Sequence, residues 1–393
     1  MKVLLVTESF VLSKGGAERS AYELARCLSE AGLEVTVLAG KINFDQEKDL
    51  SFRLESVGVS GGSKMSYWRR FRQGVADHLR KNDYDVVHSL VPLAAADVYQ
   101  PRGGSVLYSA RRHCLSYETG FMRRFKQATK GLNRARQSRI RAEAELCWGG
   151  DGPMVAALSE YVAGQFKDEY NLPSERLRII RNGIDVDRCN MAEAQGAGKK
   201  LRKQFDRNGD LALFIFAAQN PRLKGLSHLI RAGRLVMEQR ISERDFRILV
   251  FCGWEYERYW RQANQLGLNE RVIFMGATER LAAMLHACDG VVLPSFNDAC
   301  SRVILEGLAA CKPGITTRYN GAAEFLGEGK YGFVVEDGDD VKGLAEAVLA
   351  ICDQRRHQEM YEAIEKDKVV ERVSIRRHVS ELVALYGEIV GKK

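Results

Sequence analysis

The sequence predicts an α/β protein made of two doubly wound parallel-sheet domains facing each other across a cleft. Three observations carry this. Short β-branched apolar runs alternate with amphipathic segments of 3.6-residue period along the chain, the pattern of βαβ units and parallel sheets. The alternation falls into two series, separated by a polar stretch from Ala192 to Lys200. Finally, 393 residues suffice for two domains, or three at most, at about 150 residues each.

Lys2-Val-Leu-Leu-Val6 reads as a buried strand. Gly15-Gly16 then opens a helix whose apolar residues Ala17, Ala21, Leu24, Ala25, Leu28 and Ala31 share one face. Gly32 stands where a helix C-terminal glycine belongs, and Val35-Thr-Val-Leu38 resumes as a strand. The connection is a right-handed crossover between parallel strands. Asp85–His88 and Met154–Leu158 read as further strands of this sheet.

In the second series, Leu211–Phe216, Arg247–Phe251, Val272–Met275 and Gly290–Leu293 are the expected strands, with a helix over Leu226–Met237. Val341–Asp353 is a helix after the turn Asp337-Gly-Asp-Asp340, and Val373–Val390 is a terminal amphipathic helix. The two domains meet near residues 182–195. Sheets of this kind bind ligands beyond the C-terminal ends of their strands, so two facing domains would share one site.

Charge is unevenly distributed. The chain holds 59 Lys+Arg against 51 Asp+Glu, a formal +8. Between Arg102 and Arg141 there are eleven basic residues and one acid, Glu118, so this strip carries +10 and the remainder −2. A slightly acidic body with one basic strip argues for one anionic partner at one place. With 45% apolar and 28% charged residues the chain is not disordered. Every apolar run is short and interrupted, which disfavours a membrane span. The start MKVLLVTESF imitates a signal peptide, but Glu8 ends the run early. Nine scattered cysteines without a C-x-x-C pair are the usage of a reduced cytoplasmic protein without structural zinc.

Two loops carry phosphate chemistry. In Lys14-Gly-Gly-Ala-Glu18, paired glycines let backbone N–H groups approach an anion at a helix N-terminus. A tight turn needing glycine reads equally well. The full G-x-G-x-x-G is missing and Leu38-Ala-Gly40 offers no acid for a ribose, which disfavours a nicotinamide dehydrogenase. The second loop follows a strand ending at Pro294-Ser295, with Asp298 on the loop, a helix from near Ser301 and Glu306 on its second turn. That helix N-terminus can receive a diphosphate and Glu306 can accept from ribose hydroxyls. Taken alone, Asp298 would be a helix cap and Glu306 a solvated helix residue.

The surroundings resemble the nucleotide-sugar site of the family-4 glycosyltransferases, retaining enzymes with the GT-B fold of two Rossmann-like domains. That family shows an acid, seven residues, then Glu; here these are Asp298 and Glu306, the first acid one methylene short. Gly15-Gly-Ala-Glu-Arg19 is similar to its first loop, Ser159-Glu-Tyr-Val162 and Ile180-Arg-Asn-Gly-Ile-Asp185 to its interdomain stretch. Lys224-Gly225 matches its basic phosphate site and Asn320-Gly-Ala-Ala-Glu324 its later acidic loop. The family's arginine five or six positions before that lysine is absent, since Ala218 and Gln219 stand there; Arg222 is the expected substitute.

The resemblance implies an acceptor-binding domain over 1–185 containing the basic strip, and a nucleotide-sugar domain over 186–370. Residues 371–393 would be a helix packing back toward the first domain. The reaction would move a hexosyl group from a nucleoside-diphosphate sugar, a UDP-sugar favoured, to an acceptor hydroxyl with retention. Lys224, Arg222 and the helix N-terminus would stabilise the leaving diphosphate. The implied donor set is Gly15, Gly16, Arg222, Lys224, Gly276, Asp298, Ala299, Cys300, Ser301, Arg302, Val303 and Glu306, with Gly276-Ala-Thr-Glu279 bordering the base. In the first domain His88, at a strand end, and Asp97, in Ala96-Asp-Val-Tyr99, are the candidates to orient the acceptor. Asp97 resembles the acidic position of the lipopolysaccharide-core heptose glucosyltransferases.

No cofactor and no metal are expected. Asp83-Tyr-Asp85, Asp185-Val-Asp187 and Asp337-Gly-Asp339 read as turns or caps, not magnesium ligands. Lys64–Lys81 holds six basic residues against Asp77, interleaved with Tyr67, Trp68 and Phe71, and the strip adds Tyr108, Tyr117, Phe121 and Phe125. Such composition suits an anionic membrane surface, a phosphorylated lipid or a nucleic acid. Nucleic acid leaves the acidic body without a purpose. The expected partners are a nucleotide sugar and an anionic saccharide or glycolipid acceptor such as lipopolysaccharide core, with an anionic membrane surface at the inner face of the cytoplasmic membrane. A soluble sugar acceptor is the nearer alternative.

Overall fold

The computed structural model describes residues 1–11, 16–43, 50–59, 61–148, 150–239, 244–253 and 256–392. The chain divides into two compact units. Met1–Cys114, Phe121–Asn182 and Ile375–Lys393 form the first, and Leu115–Gly120 with Gly183–Ser374 the second. Where the sequence reading put the whole basic strip in the first domain, six of its residues belong to the second unit. Glu118 pairs there with Arg231 and Arg258.

The first unit is built on a parallel sheet in the order β3-β2-β1-β4-β5-β6-β7. The strands are β1 (Lys2–Val11), β2 (Glu34–Asn43), β3 (Arg53–Ser56), β4 (Val86–Ser89), β5 (Val98–Tyr99), β6 (Met154–Ala157) and β7 (Leu177–Ile179). Val3 and Leu5 of β1 join one core and Leu4 and Val6 the other, so β1 is buried on both faces and reads as a continuous apolar run. One face packs against helices Gly16–Glu30 and Ile375–Val390, the other against Lys64–Leu79. In the terminal helix Ile375, His378, Val379, Leu382, Leu385 and Tyr386 form the buried stripe, at the three-to-four spacing of one helical face. The rest of the strip is helical: Val106–Leu115, Gly120–Thr129 and Arg134–Trp148.

The second unit carries a parallel sheet in the order β10-β9-β8-β11-β12-β13. Its strands are β8 (Leu211–Ala217), β9 (Asp245–Phe251), β10 (Val272–Phe274), β11 (Gly290–Leu293), β12 (Gly314–Thr317) and β13 (Gly332–Val335). The polar stretch after Ala192 is not a linker: Ala192–Phe205 is a helix. It packs on Leu281–Ala287 through Gly198, where a Cβ would stand 2.8 Å from Ala283 O. At its far end Arg202 donates to Asp289 Oδ2 (2.5 Å), which also accepts from Leu213 N (2.7 Å). That pair ties the helix to β8 and to the turn before β11. All nine cysteines are free and eight are buried. Among the described residues no helix is long and apolar enough to cross a membrane.

Candidate active site

In the second sheet β9 and β10 lie to one side of β8, and β12 and β13 to the far side of β11. The β8/β11 boundary is therefore the topological switch point, where doubly wound sheets open a crevice at the strand C-termini. The β11 loop is the second phosphate loop read from the sequence, and the β8 loop carries the Lys224-Gly225 named by the resemblance. The β8 loop turns sharply: Leu223 N donates to Asn220 Oδ1 (3.1 Å), Lys224 N to Asn220 O (3.1 Å) and Gly225 N to Arg222 O (3.2 Å). Gly225 has φ +75°, and a Cβ there would meet Pro294 O at 2.3 Å. Only glycine lets the β8 loop lie this close to the end of β11. Phe296 N then donates to Leu223 O (2.9 Å), strapping the loops together.

The result is a fixed lysine. Lys224 Nζ donates to Asp298 Oδ2 (2.5 Å) and Asn297 O (3.1 Å). Lys224 and Asp298 retain 17% and 19% side-chain exposure, buried enough to be held and open enough to meet a ligand. Asp298 is thus the counter-charge of Lys224, not a helix cap. The helix Arg302–Ala309 begins after Ser301, whose side chain makes no capping bond. Its entry is pinned from elsewhere: Asn320, fully buried, accepts from Ser301 N (3.0 Å) and Ala322 N (3.0 Å) and donates to Thr316 Oγ1 (2.8 Å). Asp298 N donates to Tyr319 O (2.9 Å) and Gly321 N to Asp298 O (3.0 Å). Ala299, Cys300, Ser301 and Val303 are buried around this entry. Arg302 Nη2 and Glu306 Oε1 form an ion pair one turn apart at 3.3 Å. Gly276 follows the C-terminal end of β10 with φ +74°. A lysine ammonium and a helix N-terminus directed at one loop can hold an anion.

Several expected residues are placed elsewhere. Gly15 lies outside the described residues, and Gly16 is the exposed first residue of the helix Gly16–Glu30. Arg222 is not brought to Asp298. Its Nη1 donates to Ser116 Oγ (2.7 Å) and its guanidinium lies 3.8 Å over the Tyr117 ring, a stacking that favours a delocalised cation. His88 is fully buried, with Nδ1 2.5 Å from the Tyr386 hydroxyl. Burial, with the Arg102 charge adding, pushes its pKa down to about 3. It is a neutral core imidazole and not an acceptor-facing base. Asp97 precedes the N-terminal end of β5, and its Oδ2 accepts from Val87 N (2.7 Å). Ligands of a parallel sheet gather at the opposite end, so Asp97 holds strands together instead. The D-x-D strings are structural too: Asp85 accepts from Lys2 N, Asp185 caps the helix Val186–Cys189, and Asp340 beside the third string caps Val341–Cys352. Among the described residues no group of three His, Cys, Asp or Glu could hold a metal.

The first unit has its own cavity at strand C-termini, about 610 Å³, lined by Glu8, Lys41, Lys64, Arg102, Arg136 and Arg139 among others. Among the described residues lining it, the one acid is taken: Arg139 Nη2 reaches both Glu8 oxygens at 2.7 and 2.5 Å. Gly104 and Ser105, in the loop bordering the cavity, are fixed from beneath. Gln165 Oε1 accepts from Ser105 N (2.9 Å), and buried Glu143 accepts from Val106 N, Ser105 Oγ, Tyr99 and Tyr170. Glu143 is a positioning residue that sequence reasoning missed, and Asn320, named in the later acidic loop, holds the donor helix in a role the sequence did not show; only the basic and aromatic interleaving pointed toward this cavity.

Residues 14–188 match the family described as Glycosyltransferase Family 4 and residues 198–368 that described as Glycosyl transferases group 1. Fold and matches together define a glycosyltransferase of the GT-B class. The chain belongs to the family-4 glycosyltransferases. It is 22% identical over 369 residues to D-inositol 3-phosphate glycosyltransferase of Corynebacterium glutamicum, covering 90% of this chain and 83% of that one. It is 22% identical over 324 residues to lipopolysaccharide glucosyltransferase WaaG of Escherichia coli, covering 82% of each. A crystal structure of WaaG superposes with a TM-score of 0.74 at 19% identity, covering 94% of this chain and 95% of that one. HepE of Anabaena, solved in complex with UDP and glucose, superposes with a TM-score of 0.72 at 18% identity over 98% and 99% of the two chains.

Proposed function

We propose that this glycosyltransferase moves a hexosyl group from a UDP-sugar, with retention, to a hydroxyl of an anionic saccharide or lipid-linked acceptor such as lipopolysaccharide core. The observation that carries the donor half is Lys224 held at the switch point by Asp298 and Asn297 O. As the sugar becomes oxocarbenium-like, negative charge grows on the departing diphosphate. Lys224 and the N-terminus of the helix Arg302–Ala309 are preorganised to receive it. The acceptor oxygen bonds to the anomeric carbon as the carbon–phosphate oxygen bond breaks, and a donor phosphate oxygen takes the acceptor proton. A solved relative that binds UDP and glucose supports the base and the sugar class.

The acceptor half rests on the cavity of the first unit, where, among the described residues, cations outnumber the single, already paired acid. Two relatives, by their names, serve lipopolysaccharide and an inositol phosphate, both anionic. Peripheral attachment at the inner face of the cytoplasmic membrane follows from the helix Gly120–Thr129. It buries no residue, and Phe121 (77% exposed) and Phe125 (49%) stand among Arg123, Arg124 and Lys126. Apolar rings within a basic helix suit an anionic interface.

A thermal-shift series with UDP-, GDP- and ADP-sugars tests the donor, since a ligand bound by the folded state alone raises its stability. A shift with UDP-glucose and none with the other bases supports the reading; selective stabilisation by a GDP-sugar replaces it. Proton NMR of the product reads the anomeric outcome, and an inverted centre ends the retaining assignment. Co-sedimentation with phosphatidylglycerol vesicles, unaffected by Phe121→Ser/Phe125→Ser, would remove the membrane attachment.

A further inference from the structure

A second cavity of the first unit lies between helices Lys64–Leu79 and Arg134–Trp148, which pack against each other. It is a groove of about 790 Å³. Each helix turns one face toward it: Met65, Arg69, Arg72, Gln73 and Ala76 from the first, and Arg134, Gln137, Ser138 and Arg141 from the second. Both sets follow the three-to-four spacing of a single helical face. Trp68 and Leu93 to Ala95 complete the wall.

The charge of this groove is one-sided. It holds four arginines and, among the described residues lining it, no acid. None of Arg69, Arg72, Arg134 and Arg141 pairs with a carboxylate among the described residues. By comparison, Arg26, Arg80 and Arg234 each meet an acid three or four residues away. Four cations around one space repel one another, and an anion bound among them relieves that repulsion. A planar guanidinium matches a phosphate through two parallel N–H bonds. Each phosphomonoester carries roughly −1.5 to −2 at neutral pH, so two of them balance four arginines, whereas a single carboxylate does not. The amides of Gln73 and Gln137 and the Ser138 hydroxyl supply neutral donors for the remaining oxygens.

We infer that this groove is a binding site for a soluble ligand bearing two or more phosphate groups, separate from the site for the donor diphosphate. It goes beyond the reading above, because it stands on the charges of the groove and is tested without turnover. Two arginines come from the sequence's basic strip and two from the earlier Lys64–Lys81 stretch. The fold therefore merges two separate basic segments into one site.

The test is calorimetric titration of the full chain with sodium tripolyphosphate at low salt, with saturating UDP to fill the donor site. Arg72→Ser/Arg141→Ser is expected to weaken binding at least about tenfold, and Arg69→Gln/Arg134→Gln to repeat the loss. All four side chains lie at the surface of the groove, so melting curves should match those of the parent. Arg123→Ser/Arg124→Ser removes the same charge from the exposed helix and should leave affinity within about threefold. No binding of tripolyphosphate, or equal losses from the groove and the exposed helix, overturns the inference. Binding to phosphatidylglycerol vesicles that needs Arg72 and Arg141, without tripolyphosphate binding, also overturns it and assigns the groove to a lipid surface.

Discussion

His88 and Tyr386 are separated by 298 residues and joined by a 2.5 Å hydrogen bond in the core of the first unit. The imidazole lies at the end of the central strand β4 and the phenol on the last helix of the chain. Burial holds His88 neutral, and it does the same to His378, whose pKa lies well below its usual value.

Both imidazoles make the fold acid-sensitive. An unfolded histidine protonates near 6.5, whereas folded His88 resists until about 3. Below pH 6.5 the unfolded chain therefore takes up protons that the native state refuses, and stability falls until the folded value is reached. The expected slope is about 1.4 kcal/mol per pH unit for each buried imidazole. Urea unfolding at pH 7.5, 6 and 5 checks this: the stability advantage of the parent over His88→Gln should shrink steadily as pH falls. Tyr386→Phe should cost about 1 kcal/mol and leave the slope intact, because burial is the larger cause of the shift.

Removing the switch-point cation should strike the chemical step. Lys224→Ala is expected to lower kcat on the order of 10²–10³-fold, as loss of one preorganised donor does. Steady-state UDP release measures it. Unchanged turnover would detach the leaving-group role from this residue.

Asn320 touches no expected ligand, yet its amide holds the entry to the donor helix through Ser301 N and ties it to Thr316. Asn320→Ala leaves several buried polar groups unmatched, at a cost of about 2–4 kcal/mol. The KM for the donor should rise, since the loop that positions Asp298 and Lys224 loses its anchor. A rise in the acceptor KM alone would assign Asn320 to a different loop's function.

Glu143 separates two effects of one buried acid. Glu143→Ala leaves Val106 N and two tyrosine hydroxyls without their acceptor and should cost about 3–5 kcal/mol. Glu143→Gln, with its nitrogen toward Tyr99, keeps the oxygen that serves Val106, Ser105 and Tyr170. It also removes a carboxylate whose pKa burial already raises. It should cost less than about 1.5 kcal/mol in urea unfolding.

The parts legible in the sequence are those whose cause is local. The strands Lys2–Val11 and Gly290–Leu293 are buried on both faces and read as apolar runs. The β11 loop with Asp298 and Glu306 was legible because strand, loop and helix follow one another directly. β5, two residues long, and β7, three, are too short to show a period. The helix Ala192–Phe205 is hidden by Gly196 and Gly198, residues of low helix propensity, of which Gly198 allows a close approach to the helix Leu281–Ala287. The contacts of Arg222 and His88 escape the sequence for one reason. Their partners lie 106 and 298 residues away, and no window on the sequence contains both members of either pair.

The first unit takes its final helix from the end of the chain, Ile375–Val390, and Val379, Leu382 and Tyr386 complete the core beside β1. During synthesis, domains begin to fold as they emerge. This unit cannot close then, because its last wall, Ile375–Val390, follows the whole of the second unit in the chain. The second unit, all of whose residues have emerged once Ser374 has, is begun later and can close first. Until residues 375–390 have emerged, the part of the β1 face that they cover stays open, so the nascent first unit carries an exposed apolar stripe throughout the synthesis of the second.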